Sequence, residues 1–289
     1  MVDADFSFKF KLPNTGFTLS GYSKDKSGTG LFIDELNLGL DCGSLKTDAI
    51  PKHIFLTRND IEVFMYAPML IHLTQLTNVK TKITFHVPAA YAKLLNRMIG
   101  KAIALGSIDD SSDKECRWEI NPVRHGSNIS IENNCFAQAF ETTKCSVGYA
   151  FYGCCRRLRK EYSGSRFKDA DTQNINRITE KVTYPLFVYT GSVTPAVFRR
   201  QDVAAFLKPF KNIITECPYI EQWNAPPGKT SLEALQPIIK SNTETIFILT
   251  RLESTRSYEE LKQIQLDSPP NVLFAMAQKH KAGTKASVH

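Results

Sequence analysis

The sequence predicts an α/β protein in which two β-sheets pack face to face and helices cover their outer sides. Phe6, Phe8 and Phe10 alternate with polar residues near the start, which is the two-residue period of a strand with one buried face. Apolar runs followed by helical segments occur in the first half, and strands alternate with helices from residue 182 to 261. Strands followed by βα units in each half favour two packed sheets with helices outside.

The first hundred residues predict a β-meander followed by βα units. The opening strand leads into a hairpin loop, "SGYSKDKSGTG", and the chain returns as a strand, "LFIDELNLGLDCG". A short apolar strand, "KHIFLT", precedes a polar loop and a buried helix, "VFMYAPMLIHLTQL". After the strand "KITFHV", an amphipathic helix is expected to start at Pro88 and to end before Gly106.

The remaining segments predict antiparallel strands, a polar insertion and regular strand–helix alternation. The strands are "CRWEINPV", "ISIENNCFAQAFET" and "SVGYAFYG". Residues 154–181 are the most polar and basic interval, and we interpret them as an insertion or mobile arm with helical stretches. The alternating segments that follow are "YPLFVYTG", "RRQDVAAFLKPF", "NIITEC", "TSLEALQPIIKS", "TIFILT" and "SYEELKQIQL". We expect one domain over residues 1–275 and a basic, disordered tail over 276–289.

Composition predicts an intracellular globular protein. The chain has 289 residues, of which 42% are hydrophobic, and it contains no run long enough to span a membrane. The acidic start "MVDADFSF" is unlike a secretory or mitochondrial leader, which favours the cytoplasm or nucleus. Seven scattered cysteines are expected to be reduced thiols. A net charge of +7 permits a polyanionic partner such as RNA, although a basic surface without such a partner is also common.

Several blocks of the sequence resemble the ribonuclease Z branch of the metallo-β-lactamase superfamily. They occur in the family's order across nearly the whole chain, and they are "LNLGLDCG", "HIFLT", "SVGYAFYGCCRRLRKEYSG", "VTYPLFVYTGSVTPAVF", "IITECPYIE", "KTSLEALQPII" and "IFILTRLESTRSYEEL". The resemblance implies a four-layer αβ/βα sandwich. It also implies descent from enzymes that remove the 3′ trailer of precursor tRNA with two zinc ions.

The resemblance also implies that the zinc ligands have been replaced. Where the family has H-x-H-x-D-H after a strand ending in Leu-Thr, this chain has Arg58, Asn59, Asp60, Ile61, Glu62 and Val63. The remaining ligand positions hold Thr142, Ser192 and Arg251, and Lys229 stands where the family has a catalytic-loop histidine. Arginine offers no lone pair to a metal. None of the six histidines falls at a ligand position, so we expect no zinc and no catalytic residue.

Two interpretations of the changed site remain open. Asp60 and Glu62 are oxygen donors that would suit Mg²⁺, but neutralisation by arginine is the better explanation. We therefore hypothesise an ion-pair cluster in which three cations, Arg58, Lys229 and Arg251, meet three carboxylates, Asp60, Glu62 and Glu216. Ser192 and Cys217 would lie nearby as space-filling residues, because neither has an evident base.

A basic run follows the Gly-Tyr block and is the candidate RNA-binding segment. It consists of Arg156, Arg157, Arg159 and Lys160, which could contact phosphates, although a solvated face is an equally good explanation. The residues that could extend this footprint are Arg166, Lys168, Lys279, Lys281 and Lys285.

Three functions follow from these observations. The favoured one is a non-catalytic ribonuclease Z-like protein that binds RNA or serves as a structural subunit of an RNA-processing or ribonucleoprotein complex. The second is an active tRNA 3′-endonuclease or hydrolase with a rearranged site, which would need a metal such as zinc. The third is a purely structural component of an assembly. A protein partner or a homodimer is expected in the first case, and no membrane partner in any.

Overall fold

A computed structural model describes residues 6–44, 50–77, 82–106, 118–160, 178–226 and 229–276. Within these ranges fourteen strands form two seven-stranded sheets. The first sheet contains, in spatial order, β1 Ser7–Lys11, β2 Thr18–Lys24, β3 Gly28–Ile33, β4 Leu38–Leu40, β5 His53–Phe55, β6 Ile83–Pro88 and β7 Trp118–Val123. The second contains β8 Asn128–Ile131, β9 Cys135–Thr143, β10 Ser146–Leu158, β11 Thr179–Tyr189, β12 Asn212–Glu216, β13 Ile246–Thr250 and β14 Val272–Phe274.

Each sheet has an antiparallel part and a parallel part. Strands β1 to β4 pair antiparallel, as the predicted meander requires, and β4 to β7 pair parallel. In the second sheet β8 to β11 are antiparallel and β11 to β14 are parallel. The expectation that β7 is antiparallel is therefore wrong, because the preceding helix returns the chain to the starting edge and β7 then runs alongside β6.

Helices flank both sheets within the described ranges. They are α1 Ile61–Phe64, α2 Ala67–Leu76, α3 Ala92–Gly106, α4 Pro195–Arg199, α5 Gln201–Leu207, α6 Leu232–Ser241 and α7 Tyr258–Asp267. The helix predicted after "HIFLT" is divided into α1 and α2. The helix predicted around "RRQDVAAFLKPF" corresponds to α5, and the short helix α4 precedes it. Pro88 ends β6 and does not begin a helix, because the chain first makes a turn in which the Tyr91 amide donates to the Pro88 carbonyl. Among these helices none has the length and apolar character needed to cross a lipid bilayer.

Three apolar clusters separate the four layers. Neighbouring residues of one strand face opposite clusters: Ile54 packs beneath α1 to α3, whereas Phe55 lies between the sheets. In the second sheet Ile214 faces the space between the sheets, and Ile213 packs against α4 to α7. The prediction of two packed sheets with helices outside is confirmed, and so is the four-layer αβ/βα arrangement.

The described ends of the basic interval at residues 154–181 form strands and not the helical stretches that were predicted. Residues 154–158 continue β10, and they pair antiparallel with residues 179–183 of β11. The backbone of these residues is therefore extended and not helical. Residues 161–177 of the interval lie outside the described ranges. Met276 is buried against the second sheet, so the predicted tail can begin only at residue 277, also outside those ranges.

Candidate functional site

The candidate site lies where parallel strands of both sheets end. Glu216 is the last residue of β12, Arg251 directly follows β13, and Arg58 lies three residues beyond the end of β5. The carboxyl ends of parallel strands meet at one edge of a sheet, and here the edges of the two sheets face each other. The side chains of Glu216, Arg58 and Arg251 are buried, with exposures of 0, 8 and 7%.

Arg58 binds Glu216 through two parallel contacts. Its Nη1 donates to Oε1 at 3.2 Å and its Nη2 donates to Oε2 at 2.9 Å. The remaining donor, Nε, contacts Oδ2 of Asp60 at 2.6 Å. This two-pronged geometry uses the planar guanidinium fork and holds Arg58, in the loop after β5, against the second sheet.

Arg251 joins the same carboxylate from the other side. Its Nη1 lies 3.2 Å from Glu216 Oε2, and its Nη2 donates to Glu62 at the start of α1. Its Nε faces Asp25 at 3.5 Å without forming a hydrogen bond. The Arg251 amide donates to Ser23 Oγ at 2.6 Å, which ties the end of β13 to the β2–β3 hairpin.

Opposite charges fix the ionisation of this group. Burial alone would raise the pKa of Glu216, but Arg58 and Arg251 outweigh it and lower that pKa. Burial would likewise lower the pKa of Arg58, and the carboxylates of Glu216 and Asp41 raise it instead. Both partners are therefore charged at neutral pH, and their charges compensate each other inside the protein.

Asp41 is a further member of the site that sequence reasoning missed. It follows β4 in the "LDCG" block, and it accepts hydrogen bonds from the Thr57 amide at 2.9 Å and the Tyr189 hydroxyl at 2.6 Å. Burial raises its pKa to about 7, with Arg58 opposing and Glu216 reinforcing the shift. Asp25 was also missed, because it lies in a hairpin loop. The signal for Asp41 was present in a block used only to recognise the fold.

The structure brings together five of the six residues of the hypothesised cluster. Arg58, Arg251, Asp60, Glu62 and Glu216 form the contacts described above. Lys229 does not join them: its side chain is half-buried and makes no ion pair with any residue that the structure describes. The buried hydroxyl of the next residue, Thr230, donates to the Val193 carbonyl and fixes the loop without using Lys229.

The other predicted positions do not carry charge into the site. Val63 is fully buried in the apolar cluster beneath α1 to α3, where a polar ligand would have no partner. Ser192 is half-buried, and Thr142 is buried with an Oγ1 that has no hydrogen-bond partner among the described residues. Gly191 has φ +62°, and a Cβ there would meet the Thr57 side chain at 2.6 Å, so only glycine permits this close approach.

The donor set does not fit a dinuclear zinc centre. Zinc prefers imidazole nitrogen, thiolate and free carboxylate, whereas here the carboxylates of Asp60, Glu62 and Glu216 are engaged by guanidinium groups. Across the described ranges, no group of three histidine, cysteine, aspartate or glutamate side chains is arranged to hold a metal. Guanidinium nitrogens cannot act as ligands or as general bases.

Side chains that could start covalent chemistry are also poorly placed. Burial raises the pKa of Cys217 to about 12, which keeps this thiol protonated and weakly nucleophilic. Of the four histidines in the described ranges, none forms a hydrogen bond with the cluster. His53 and His86 instead bond to each other at 3.1 Å, and burial lowers the pKa of His86 to about 3. This pair belongs to the first sheet and not to the strand-end site.

The candidate RNA-binding residues lie away from the cluster, on the extended end of β10 and β11. Arg156 is opposite Lys181 and Arg157 is opposite Glu180 in this two-stranded ribbon. Arg159 and Lys160 follow the end of β10, and all four basic side chains are exposed. The further candidates Arg166, Lys168, Lys279, Lys281 and Lys285 fall outside the described residues.

Solved structures show what this architecture is similar to. The metallo-β-lactamase fold protein YhfI from Bacillus subtilis matches with a TM-score of 0.54 at 11% identity, over 93% of this chain and 92% of that chain. A diphosphatase of the PhnP family matches with a TM-score of 0.54 at 9% identity, over 90% and 81%. Human short-form tRNase Z is 13% identical over 95% of both chains, with a lower TM-score of 0.49.

The sequence itself gives no equivalent match. No protein-family model and no curated protein matches it. The likeness to YhfI and to the diphosphatase, at identities of 11 and 9%, rests on the arrangement of strands and helices over nearly the whole length. The chain therefore has the metallo-β-lactamase fold.

Proposed function

We propose that this chain is a non-catalytic, ribonuclease Z-like protein that binds RNA as a subunit of an RNA-processing or ribonucleoprotein complex. One observation carries the non-catalytic part: two buried arginines, Arg58 and Arg251, hold Glu216 at the strand-end edge. An active member of this fold would need those positions for metal ligands. Here each guanidinium compensates the carboxylates that a metal would otherwise neutralise.

The ribonuclease Z-like part rests on the sequence blocks, and the RNA-binding part rests on charge. The ribbon formed by β10 and β11 is exposed from residue 155 onwards and carries Arg156, Arg157, Arg159 and Lys160. Exposed cations on a projecting ribbon can reach phosphates without reading base sequence. Only Glu180 opposes them among the described residues that pair across this part of the ribbon.

Metal analysis of the purified protein, combined with a precursor-tRNA cleavage assay, tests the non-catalytic part. We expect less than one zinc per chain and no cleavage with added Zn²⁺, Mg²⁺ or Mn²⁺. Two stoichiometric zinc ions together with cleavage that a chelator abolishes would establish the alternative, an active endonuclease with a rearranged site.

RNA affinity measured against salt concentration tests the binding part. Phosphate contacts predict a steep, linear loss of log affinity with log salt, and alanine substitution of Arg157, Arg159 and Lys160 should reduce the slope by about 2. Undiminished affinity in that variant, together with loss of co-purifying protein partners when exposed apolar residues are changed, would favour the purely structural function.

A further inference from the structure

Helix α3 carries three exposed cations in a row. Lys93, Arg97 and Lys101 follow one another at four-residue spacing, so they project from one face of the helix, roughly 6 Å apart along its axis. The opposite face, with Leu95 and Ile99, packs into the apolar cluster on the first sheet. We name these three cations the α3 ridge.

Among the residues that the structure describes, no carboxylate pairs with a cation of the α3 ridge. The helix sequence "AKLLNRMIGKAIALG" contains no acidic residue. None of the three side chains forms an ion pair or a hydrogen bond with a residue in the described ranges. Glu119, on the strand β7 that contacts α3, is already engaged by Lys82. Cations that are not paired with a carboxylate attract an external anion more strongly than paired cations do.

A basic cavity continues the ridge at its N-terminal end. Pro88, Ala89 and Ala90, which lead directly into α3, form one wall of a cavity of about 340 Å³. Arg124, His125 and Lys144 also line this cavity, with Glu141 as the acidic side chain among its walls. Interaction with Cys145, another lining residue, raises the pKa of Tyr91, which directly precedes α3.

The ridge and the cavity together form a track. Lys93 to Lys101 span about 12 Å of helix, and the cavity extends the basic surface beyond Lys93. Gly100, beside the ridge, has no neighbouring atom within 4 Å of the position of a Cβ, so the helix surface there is low and open. A flexible chain of evenly spaced negative charges matches such a track better than a compact anion does.

We propose that the α3 ridge and the adjoining cavity bind the phosphate backbone of single-stranded RNA, as a surface separate from the β10–β11 ribbon. This inference rests on the proposed RNA-binding function and assigns it a second contact surface. Successive phosphates contact Lys101, Arg97 and Lys93, and the strand then enters the cavity near Arg124 and Lys144. Since these contacts involve phosphates, the surface reads charge and not base sequence.

The experiment compares three variants of the full chain with the same loss of charge. The ridge variant carries Lys93→Ala, Arg97→Ala and Lys101→Ala. The ribbon variant carries Arg157→Ala, Arg159→Ala and Lys160→Ala. The control removes three exposed lysines near the other outer helices, through Lys208→Ala, Lys240→Ala and Lys262→Ala. Binding of a labelled 20-nucleotide single-stranded RNA is measured by fluorescence anisotropy at several salt concentrations, with melting temperatures recorded to verify folding.

We expect the ridge variant to lose roughly tenfold or more in affinity and its log–log salt slope to fall by about 2, whereas the control stays close to wild type. If wild type binds RNA and the ridge variant behaves like the control, the ridge proposal is wrong and the proposed function stands. If wild type does not bind RNA at all, both are wrong. If the ridge variant loses binding to polyglutamate but keeps its RNA affinity, the ridge serves an acidic protein segment and the RNA proposal is overturned.

Discussion

Asp41 and Glu216 are both buried carboxylates, yet their surroundings shift their pKa values in opposite directions. Burial raises the pKa of Asp41 to about 7, against the pull of Arg58. At Glu216 two arginines outweigh burial and lower the pKa. The difference follows from contact: Arg58 and Arg251 touch Glu216, whereas Asp41 receives neutral hydrogen bonds from Thr57 and Tyr189.

The raised pKa of Asp41 predicts a pH dependence of stability. Because its folded pKa of about 7 lies above the ordinary value of 3.8, the folded state binds this proton more tightly than the unfolded state does. The contribution of Asp41 to the free energy of unfolding is fully present below its unfolded-state pKa of 3.8. It is lost as the pH rises through its folded-state pKa of about 7. Buried histidines contribute in the opposite direction, so the informative quantity is the difference between wild type and Asp41→Asn.

Urea unfolding of both proteins between about pH 5 and pH 8 measures that difference, which we expect to change by roughly 2 kcal/mol across the range. The amide can still accept from the Thr57 amide, so the loop geometry is retained. Parallel stability curves for the two proteins would show that Asp41 does not titrate in this window.

Removal of one arginine from the cluster is expected to be costly. Arg58→Met leaves Glu216 with Arg251 alone, and an under-compensated buried carboxylate costs about 3 to 5 kcal/mol. Arg256→Met is the matched control, because Arg256 pairs with Glu221 and Glu253 at a partly exposed position where a pair contributes about 1 kcal/mol or less.

A second substitution separates charge from packing in this test. Adding Glu216→Gln to Arg58→Met removes the surplus negative charge and should recover part of the lost stability. If Arg58→Met and Arg256→Met lower the free energy of unfolding equally in chemical denaturation, the buried ion pair contributes no more to stability than the partly exposed one.

At the scale of elements, a glycine decides how closely α1 approaches the first sheet. A Cβ on Gly43 would lie 1.6 Å from the carbonyl oxygen of Glu62, a backbone atom that cannot move aside. The Gly43 amide also donates to the Thr29 carbonyl at 2.7 Å. This close contact places Glu62 within reach of Arg251.

The same glycine-to-alanine change is therefore expected to have opposite effects at two positions. Gly43→Ala should lower the melting temperature strongly, because backbone must shift. Gly100→Ala should raise it slightly, since a Cβ there has open space and alanine favours a helix interior by about 1 kcal/mol. Calorimetry of the two variants checks both directions, and a tolerated alanine at residue 43 would refute the steric argument.

The elements also show what the sequence can and cannot predict. The apolar runs "HIFLT" and "NIITEC" correctly predict β5 and β12, because a short, continuously apolar run is typical of a strand that is buried on both faces. The direction of β7 was not predictable from its alternating pattern, since pairing direction depends on the crossover helix and not on local composition. In the basic interval the paired strands could not be predicted, because neither strand has a fully buried face and so neither shows an alternating apolar pattern.

The sequence could predict those site residues that follow a recognisable strand end. Arg58 and Arg251 each follow a Leu-Thr strand end, so their positions could be inferred from the resemblance. Lys229 lies in the loop before α6, and its sequence position does not show which way its side chain points, so only the three-dimensional arrangement could exclude it from the cluster. Asp25 reaches Arg251 from a hairpin more than two hundred residues earlier, which no local pattern can indicate.

At the scale of the whole molecule, one tyrosine joins the two sheets. Tyr149 on β10 donates to the carbonyl of Leu56, the residue after β5, at 2.8 Å, and its hydroxyl lies 3.1 Å from the carbonyl of His86 on β6. Its ring also packs edge-on against Phe55, at a centroid distance of 5.0 Å. The hydroxyl therefore satisfies buried backbone at the centre of the sandwich.

Tyr149→Phe should destabilise the protein by about 1 to 3 kcal/mol, because the Leu56 carbonyl loses its donor in a dry environment. Tyr184→Phe, at a 45% exposed position on the β10–β11 ribbon, should change stability by less than about 0.5 kcal/mol. Guanidinium denaturation of both variants tests the contrast, and an unaffected Tyr149→Phe would mean that water replaces the hydroxyl.

The link from Ser23 and Asp25 to Arg251 has a consequence for biosynthesis. A ribosome releases the chain from the N-terminus, so the hairpin emerges long before the residue that it holds. Glu216 and Arg58 are likewise separated by more than one hundred and fifty residues. Until β12 and β13 emerge, Arg58 has only Asp60 as its partner, and the inner face of the first sheet is uncovered, so the nascent chain exposes apolar surface during translation.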